Sequence, residues 1–167
     1  MEKKSILICG QLGAGCREVG EMVSKELGLE FLTAEKLIKT FDFNDLFMHG
    51  ELYIDEAMRI FLWERLRKGG VLVEGRAAFL ALDQPVNMKV FLYADQEKRA
   101  EHIAERSKIS KEEASAVIEM SDHDRSSLAQ RIYNKDWQDS SLYDMKLETS
   151  RVGLENTAKL ILTVASW

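Results

Sequence analysis

Gly10-Gln11-Leu12-Gly13-Ala14-Gly15-Cys16-Arg17 follows an apolar run at residues 5–9 and leads into the helical stripe Val19, Met22, Val23 and Leu27. A glycine-rich turn from strand to helix lets backbone amides curl around phosphate oxygens. In the pattern G-x-x-x-x-G-K-[ST] the helix N-terminus adds its positive end, the lysine reaches the terminal phosphates and the hydroxyl holds magnesium. Gly10, Gly13 and Gly15 keep the backbone part of this device, while Cys16 and Arg17 stand where the lysine and hydroxyl belong. A dinucleotide G-x-G-x-x-G does not fit, because counting from Gly13 and Gly15 places its third glycine at Glu18. The competing reading is a turn with no ligand. Its place between a first strand and an amphipathic helix favours phosphate binding by residues 10–17, with Gln11, Leu12 and Ala14 in the loop.

Outward from the loop, residues 71–73, 88–93 and 143–147 are further strand candidates, apolar without sustained polar alternation. Such runs suit strands buried on both faces of a parallel sheet. Between them the period turns helical. Ile54, Met58, Phe61, Leu62 and Leu66 form one stripe, Ala114, Val117 and Ile118 another, and Leu154, Ala158, Ile161 and Leu162 a third. Gly28 and the pair Gly69-Gly70 are helix stops, and Ser110 with Glu113 is a capping box. Alternating strands and helices predict an open α/β sheet with its ligand beyond the carboxyl ends of the strands.

The chain has 167 residues, one proline and a net charge of −5, which predicts a single domain without linkers. That charge, with basic residues dispersed among acids, argues against a nucleic-acid polymer as partner. The longest apolar runs are too short for a bilayer, and the opening Met1-Glu2-Lys3-Lys4 is unlike a signal peptide, so a soluble cytoplasmic protein without membrane contact is expected. Cys9 and Cys16 form neither a CxxC pair nor a zinc pattern.

The loop together with Val71-Leu72-Val73-Glu74-Gly75-Arg76, Ile103-Ala104-Glu105-Arg106, Asp122-His123-Asp124-Arg125 and Tyr133-Asn134-Lys135-Asp136-Trp137 resembles the cytidylate kinase-like family of P-loop nucleoside monophosphate kinases. The likeness runs in order over almost the whole chain. It implies the three-layer P-loop kinase fold, a monophosphate-binding insertion at about residues 33–68 and a helical lid at about 107–137. It also implies magnesium-dependent transfer of the terminal phosphoryl group of ATP to CMP or dCMP. By position, Arg76 is expected to grip the acceptor phosphate, with an ion pair to a neighbouring acid as the alternative. Glu74 is expected to hold magnesium, directly or through water, or else to serve as a helix N-terminal carboxylate. Arg17, Arg99, Arg106 and Arg125 are expected at the donor phosphates, Thr149 and Ser150 near the adenine or ribose, and Thr33, Asp122 and Arg131 at the acceptor side.

Three departures from that pattern stand out: Cys16 for lysine, Arg17 for the hydroxyl, and Thr33 for an acid near the start of the monophosphate region. The segment 41–52 is short, which predicts a reduced acceptor pocket. Two functions therefore stand open, a working kinase and a nucleotide-binding regulator whose catalysis has decayed.

Overall fold

In the computed structural model, residues 4–40 and 50–166 are described, and the expectation of a short acceptor segment falls largely on 41–49, outside the described residues. Strand β1 (Ser5–Gly10) is buried at all six positions, and it forms the middle of a five-stranded sheet of order β2-β3-β1-β4-β5. Its partners are β3 (Val71–Glu74) and β4 (Met88–Tyr93), with β2 (Glu30–Leu32) and β5 (Met145–Glu148) at the edges, and every pairing is parallel. The expected strand at residues 143–147 starts two residues later, because Tyr143 turns its ring into the core and its hydroxyl to the Trp137 carbonyl. β2 escapes a reading by apolar runs, since only Leu32 of its three residues is buried.

Alternation along the strands divides the core. Ile6, Ile8, Leu72, Val90 and Leu92 pack against α1 (Cys16–Leu27) and α8 (Leu154–Ala165). Leu7, Cys9, Val73 and Phe91 face α3 (Glu51–Arg67), the short α4 (Arg76–Phe79) and α6 (Lys111–Tyr133), with α2 (Ala34–Thr40) contributing Leu37. Successive strand side chains point to opposite faces, so continuous apolar runs give a helix–sheet–helix sandwich. α7 (Thr149–Val152) is a single turn before α8.

Helix α5 (Gln96–Ser107) pairs with α6 through a small core of its own, Ala100, Ile103, Ala114 and Ile118, against which Leu12 of the phosphate loop packs. Ser110 and Glu113 form the expected capping box at the start of α6. Gly28 ends α1 in the left-handed conformation, at φ 63°. On α3 the buried stripe includes Asp55 and Arg59 besides Met58, Leu62 and Leu66, two charges placed in an otherwise apolar seam.

Phe79, Phe91, Trp137 and Tyr143 form an aromatic cluster beneath α4, with Phe79 edge-on to Phe91 at 6.5 Å. Phe79 is fully buried and fixes the turn that carries Arg76. Phe79→Ala is expected to lower stability by about 3–5 kcal/mol in urea denaturation, the range for a truncated core aromatic.

Candidate functional site

The phosphate loop owes its shape to two hydrogen bonds from outside it. Arg99 Nε donates to the Leu12 carbonyl at 2.9 Å, and the Thr149 hydroxyl donates to the Ala14 carbonyl at 2.7 Å. In a trans peptide the carbonyl and the next amide point in opposite directions, and there is no cis peptide among the described residues. Pinning Leu12 and Ala14 outward therefore turns the amides of Gly13 and Gly15 the other way. Those two amides have no protein acceptor among the described residues, whereas Gln11 N–H bonds the Leu92 carbonyl and Ala14 N–H the Gln11 carbonyl. Gly13 and Gly15 hold φ of 86° and 88°, and a Cβ at Gly13 would sit 2.8 Å from the Arg99 carbonyl oxygen, so glycine is required there. Gly15 caps α1 without a side-chain partner, leaving the positive end of that 12-residue helix open.

Beyond the carboxyl ends of β1 and β3 lies a cavity of about 250 Å³. The loop lines one wall, from Gln11 to Arg17 with Gly13, Gly15 and Cys16 between. Opposite stand Thr33, Glu35, Glu74, Arg76, Arg106 and Arg125. Four arginines against two glutamates make this a polyanion site on a chain whose net charge is negative.

The arginines differ in how they are engaged. Arg17 bonds Glu35 at 3.1 Å at the rim, and Arg106 lies 3.9 Å from Glu18. Arg76, the first residue of α4, is held by Asp55 at 2.7 Å and by Asp124 at 2.8 Å, and Asp55 also takes Arg131 at 2.6 Å. Burial works against the Arg76 charge, but the hydrogen bonds of Asp55 and Asp124 outweigh it and its pKa is raised. Arg125, 8% exposed, meets the Ser121 hydroxyl, and burial pushes its pKa below the usual value. Burial also raises the Glu74 carboxyl, which makes no hydrogen bond or ion pair among the described residues. The Cys16 thiol is pushed up to about 12, first by burial and then by Glu74.

Arg99 and Asp122, expected at the donor and acceptor phosphates, do not line the cavity. They bind each other bidentately, at 3.0 and 2.5 Å, and support the loop from behind. Asp122 therefore pairs with Arg99 and not with Arg125. Gly10 and Ala14 are buried within the loop and do not line the cavity, and Thr149 and Ser150 hold backbone and Glu148 outside it. Thr33 lines the wall while its hydroxyl accepts the Lys36 amide at the start of α2. Sequence reasoning missed Glu35, Asp55 and Asp124. Asp55 carried a signal, an acid in register with the buried positions of the α3 stripe. Glu35 and Asp124 carried none, since each is a surface-type acid whose partner is 18 or 48 residues away.

Residues 33–151 match the model of the cytidylate kinase-like family. The chain belongs to that family. It is 28% identical over 170 residues to a cytidylate kinase of Saccharolobus islandicus, covering 96% of this chain and 90% of that one. To a cytidylate kinase of Methanopyrus kandleri it is 30% identical over 177 residues, covering 93% and 90%. Among solved structures, an uncharacterized protein from Eubacterium ventriosum matches at TM-score 0.79 and 18% identity over 99% of this chain and 100% of that one. The shikimate kinase of Acinetobacter baumannii, solved with shikimate, matches at TM-score 0.64 and 17% identity over 98% and 93%. The sheet of this cytidylate kinase-like chain is thus that of the P-loop kinases. Among the described residues no helix is long and apolar enough to cross a membrane, and no group of three His, Cys, Asp or Glu could hold a metal ion.

Cys9 and Cys16 are both buried thiols with raised pKa. In the native protein neither is expected to react with iodoacetamide at pH 8, and mass spectrometry should find both alkylated only in denaturant. The neutral thiol is favoured in the fold, so its contribution is complete below the ordinary value of 9.0 and is lost as pH rises towards about 12.

Proposed function

We propose that this chain is a nucleoside monophosphate kinase that moves the terminal phosphoryl group of ATP to CMP or dCMP. The observation that carries the reading is a single cavity with unbonded loop amides on one wall and Arg76 on the other. At about 250 Å³ it is smaller than the roughly 300–1,000 Å³ that encloses a drug-sized ligand, which suits phosphate groups whose nucleosides extend to either side. The names of the curated relatives support cytidylate as the acceptor.

In this reading the amides of Gly13 and Gly15 and the open end of α1 hold the donor phosphates, with Arg17 and Arg106 at the rim. Arg76 holds the acceptor phosphate, whose oxygen attacks the terminal phosphorus of ATP as the bond to the β-phosphate oxygen breaks and ADP leaves. The transfer asks mainly for alignment and for cations around the moving group. A second cavity of about 630 Å³, between Leu52, Tyr53 and Asp55 of the 33–68 insertion and Arg131 and Ile132 of α6, adjoins the Arg76 network and suits the acceptor nucleoside. In this reading the lid at about 107–137 contains α6 (Lys111–Tyr133), which packs on α5 beside the loop.

Magnesium fits this site as a cation that arrives on the nucleotide. Glu74 offers a desolvated, unpartnered carboxylate, and magnesium is commonly held by one or two carboxylates together with substrate phosphates. When bound, it would neutralise phosphate charge, with Glu74 as its carboxylate partner, since Arg17 in the hydroxyl position has no oxygen with which to ligate it. The second reading, a nucleotide-binding regulator in the same cytoplasmic setting, is favoured by Cys16 and Arg17 alone.

ADP production from Mg-ATP across a panel of nucleoside monophosphates tests the proposal. Turnover that requires CMP or dCMP is expected, and tight nucleotide binding without turnover would select the regulator. Arg76→Ala is expected to weaken the monophosphate by about 2–5 kcal/mol while leaving ATP affinity much less affected, because the truncation removes the guanidinium from the acceptor phosphate and not from the donor. Equal losses for both substrates would remove Arg76 from the acceptor side.

A further inference from the structure

Arg125 is buried, charged and short of partners. It sits on α6, 8% exposed, and its guanidinium reaches the cavity wall opposite the phosphate loop. Among the described residues its hydrogen-bond partner is the Ser121 hydroxyl, its Nε has none, and no carboxylate forms an ion pair with it. Taking an ionised group out of water without a partner is strongly unfavourable. Glu74, Asp122 and Asp124 favour its charge only from a distance, Asp122 being bonded to Arg99 and Asp124 to Arg76, and burial outweighs them. Of the other arginines near the loop, Arg99 is committed to Asp122 and the Leu12 carbonyl, while Arg17, bonded to Glu35, and Arg106, 3.9 Å from Glu18, stand at the rim.

Position 16 makes the complementary observation. Cys16 is 9% exposed and packs with the α1 side of the core, and a Cβ placed on Gly10 would lie 2.6 Å from its Sγ. The side chain is short, uncharged and pressed back against β1. The wall facing a bound phosphate therefore receives no cation from the loop at the place where the pattern requires one.

We propose that Arg125, delivered from α6, supplies to a bound polyphosphate the positive charge that a lysine at position 16 supplies in the usual phosphate loop. Its ligand is the di- or triphosphate chain of a nucleotide, which a guanidinium fork binds through two oxygens. Arg125 then brings to the cavity a guanidinium that pairs with no carboxylate among the described residues, and a bound polyanion supplies that missing partner. This rests on reading the cavity as the polyphosphate site.

The experiment uses the full chain with inorganic tripolyphosphate and magnesium, measured by calorimetry, so that neither nucleoside recognition nor transfer enters. Arg125→Met should weaken binding about 10- to 100-fold, the loss expected for charge-assisted hydrogen bonds. Cys16→Lys should give little gain or a loss in the wild-type background, where two cations crowd one place, yet restore most of the affinity in the Arg125→Met background. Because a buried substitution can lower stability through packing alone, that rescue is the deciding readout. Unchanged affinity in Arg125→Met, or a double variant that binds no better than Arg125→Met, overturns the inference. ADP production followed in parallel separates the two readings. Binding that tracks Arg125 with no transfer to any monophosphate overturns the kinase and supports the role of Arg125, whereas undiminished transfer by Arg125→Met overturns that role alone.

Discussion

Two carbonyl oxygens, those of Leu12 and Ala14, hold the site together. Each is drawn outward by a side chain from a distant element, Arg99 of α5 and Thr149 at the start of α7. Peptide planarity does the rest, since an outward carbonyl commits the following amide to the cavity. The loop therefore depends on the sheet order that brings β4 beside β1 and β5 beside β4, because α5 and α7 follow those strands. A glycine-rich stretch alone would be free to point its amides into water.

This arrangement accounts for what was legible in the sequence. The strands and the capping box of α6 are local patterns, fixed by burial on both faces and by one side chain bonding a backbone three residues on. The loop was legible for the same reason, its glycines being required by a left-handed backbone at Gly13 and Gly15. Roles that depend on distant partners were not. Arg99 and Arg106 share a helix and a sequence type, yet one is 4% exposed behind the loop and the other 38% exposed at the rim. Seven positions along α5 place them near one face, but the approach of Asp122 from α6 decides which one faces the ligand. Thr149 likewise follows a strand at the site edge and turns its hydroxyl to backbone instead of outward.

Donor and acceptor walls also differ in how ready they are for a ligand. The loop wall presents unbonded amides and an uncapped helix, and Arg125 across from it bonds the Ser121 hydroxyl but no carboxylate among the described residues, so an anion there has no acid to displace. On the acceptor wall Arg76 is already held by Asp55 and Asp124. An incoming phosphate there must compete with two carboxylates, one of them 7% exposed, and phosphate beside those acids meets like charge. Binding on that wall is thus coupled to α3, which carries Asp55, and to α6, which carries Asp124.

α6 is the element common to both walls. Within four residues it carries Asp122, which holds the strut behind the loop, Asp124, which holds Arg76, and Arg125, which faces the cavity. A movement of this helix that freed Arg76 for an acceptor would also shift Arg125 and the support of Leu12. With Arg125 as the proposed phosphate cation, the chain gains something from carrying that charge on α6 instead of in the loop. A lysine at position 16 would fix the donor charge to the start of α1 whatever the acceptor wall was doing, whereas a cation on α6 ties the donor charge to the state of Arg76. Loss of the lysine is on this view a change in what the charge responds to, with the amide cradle itself kept intact by Arg99 and Thr149.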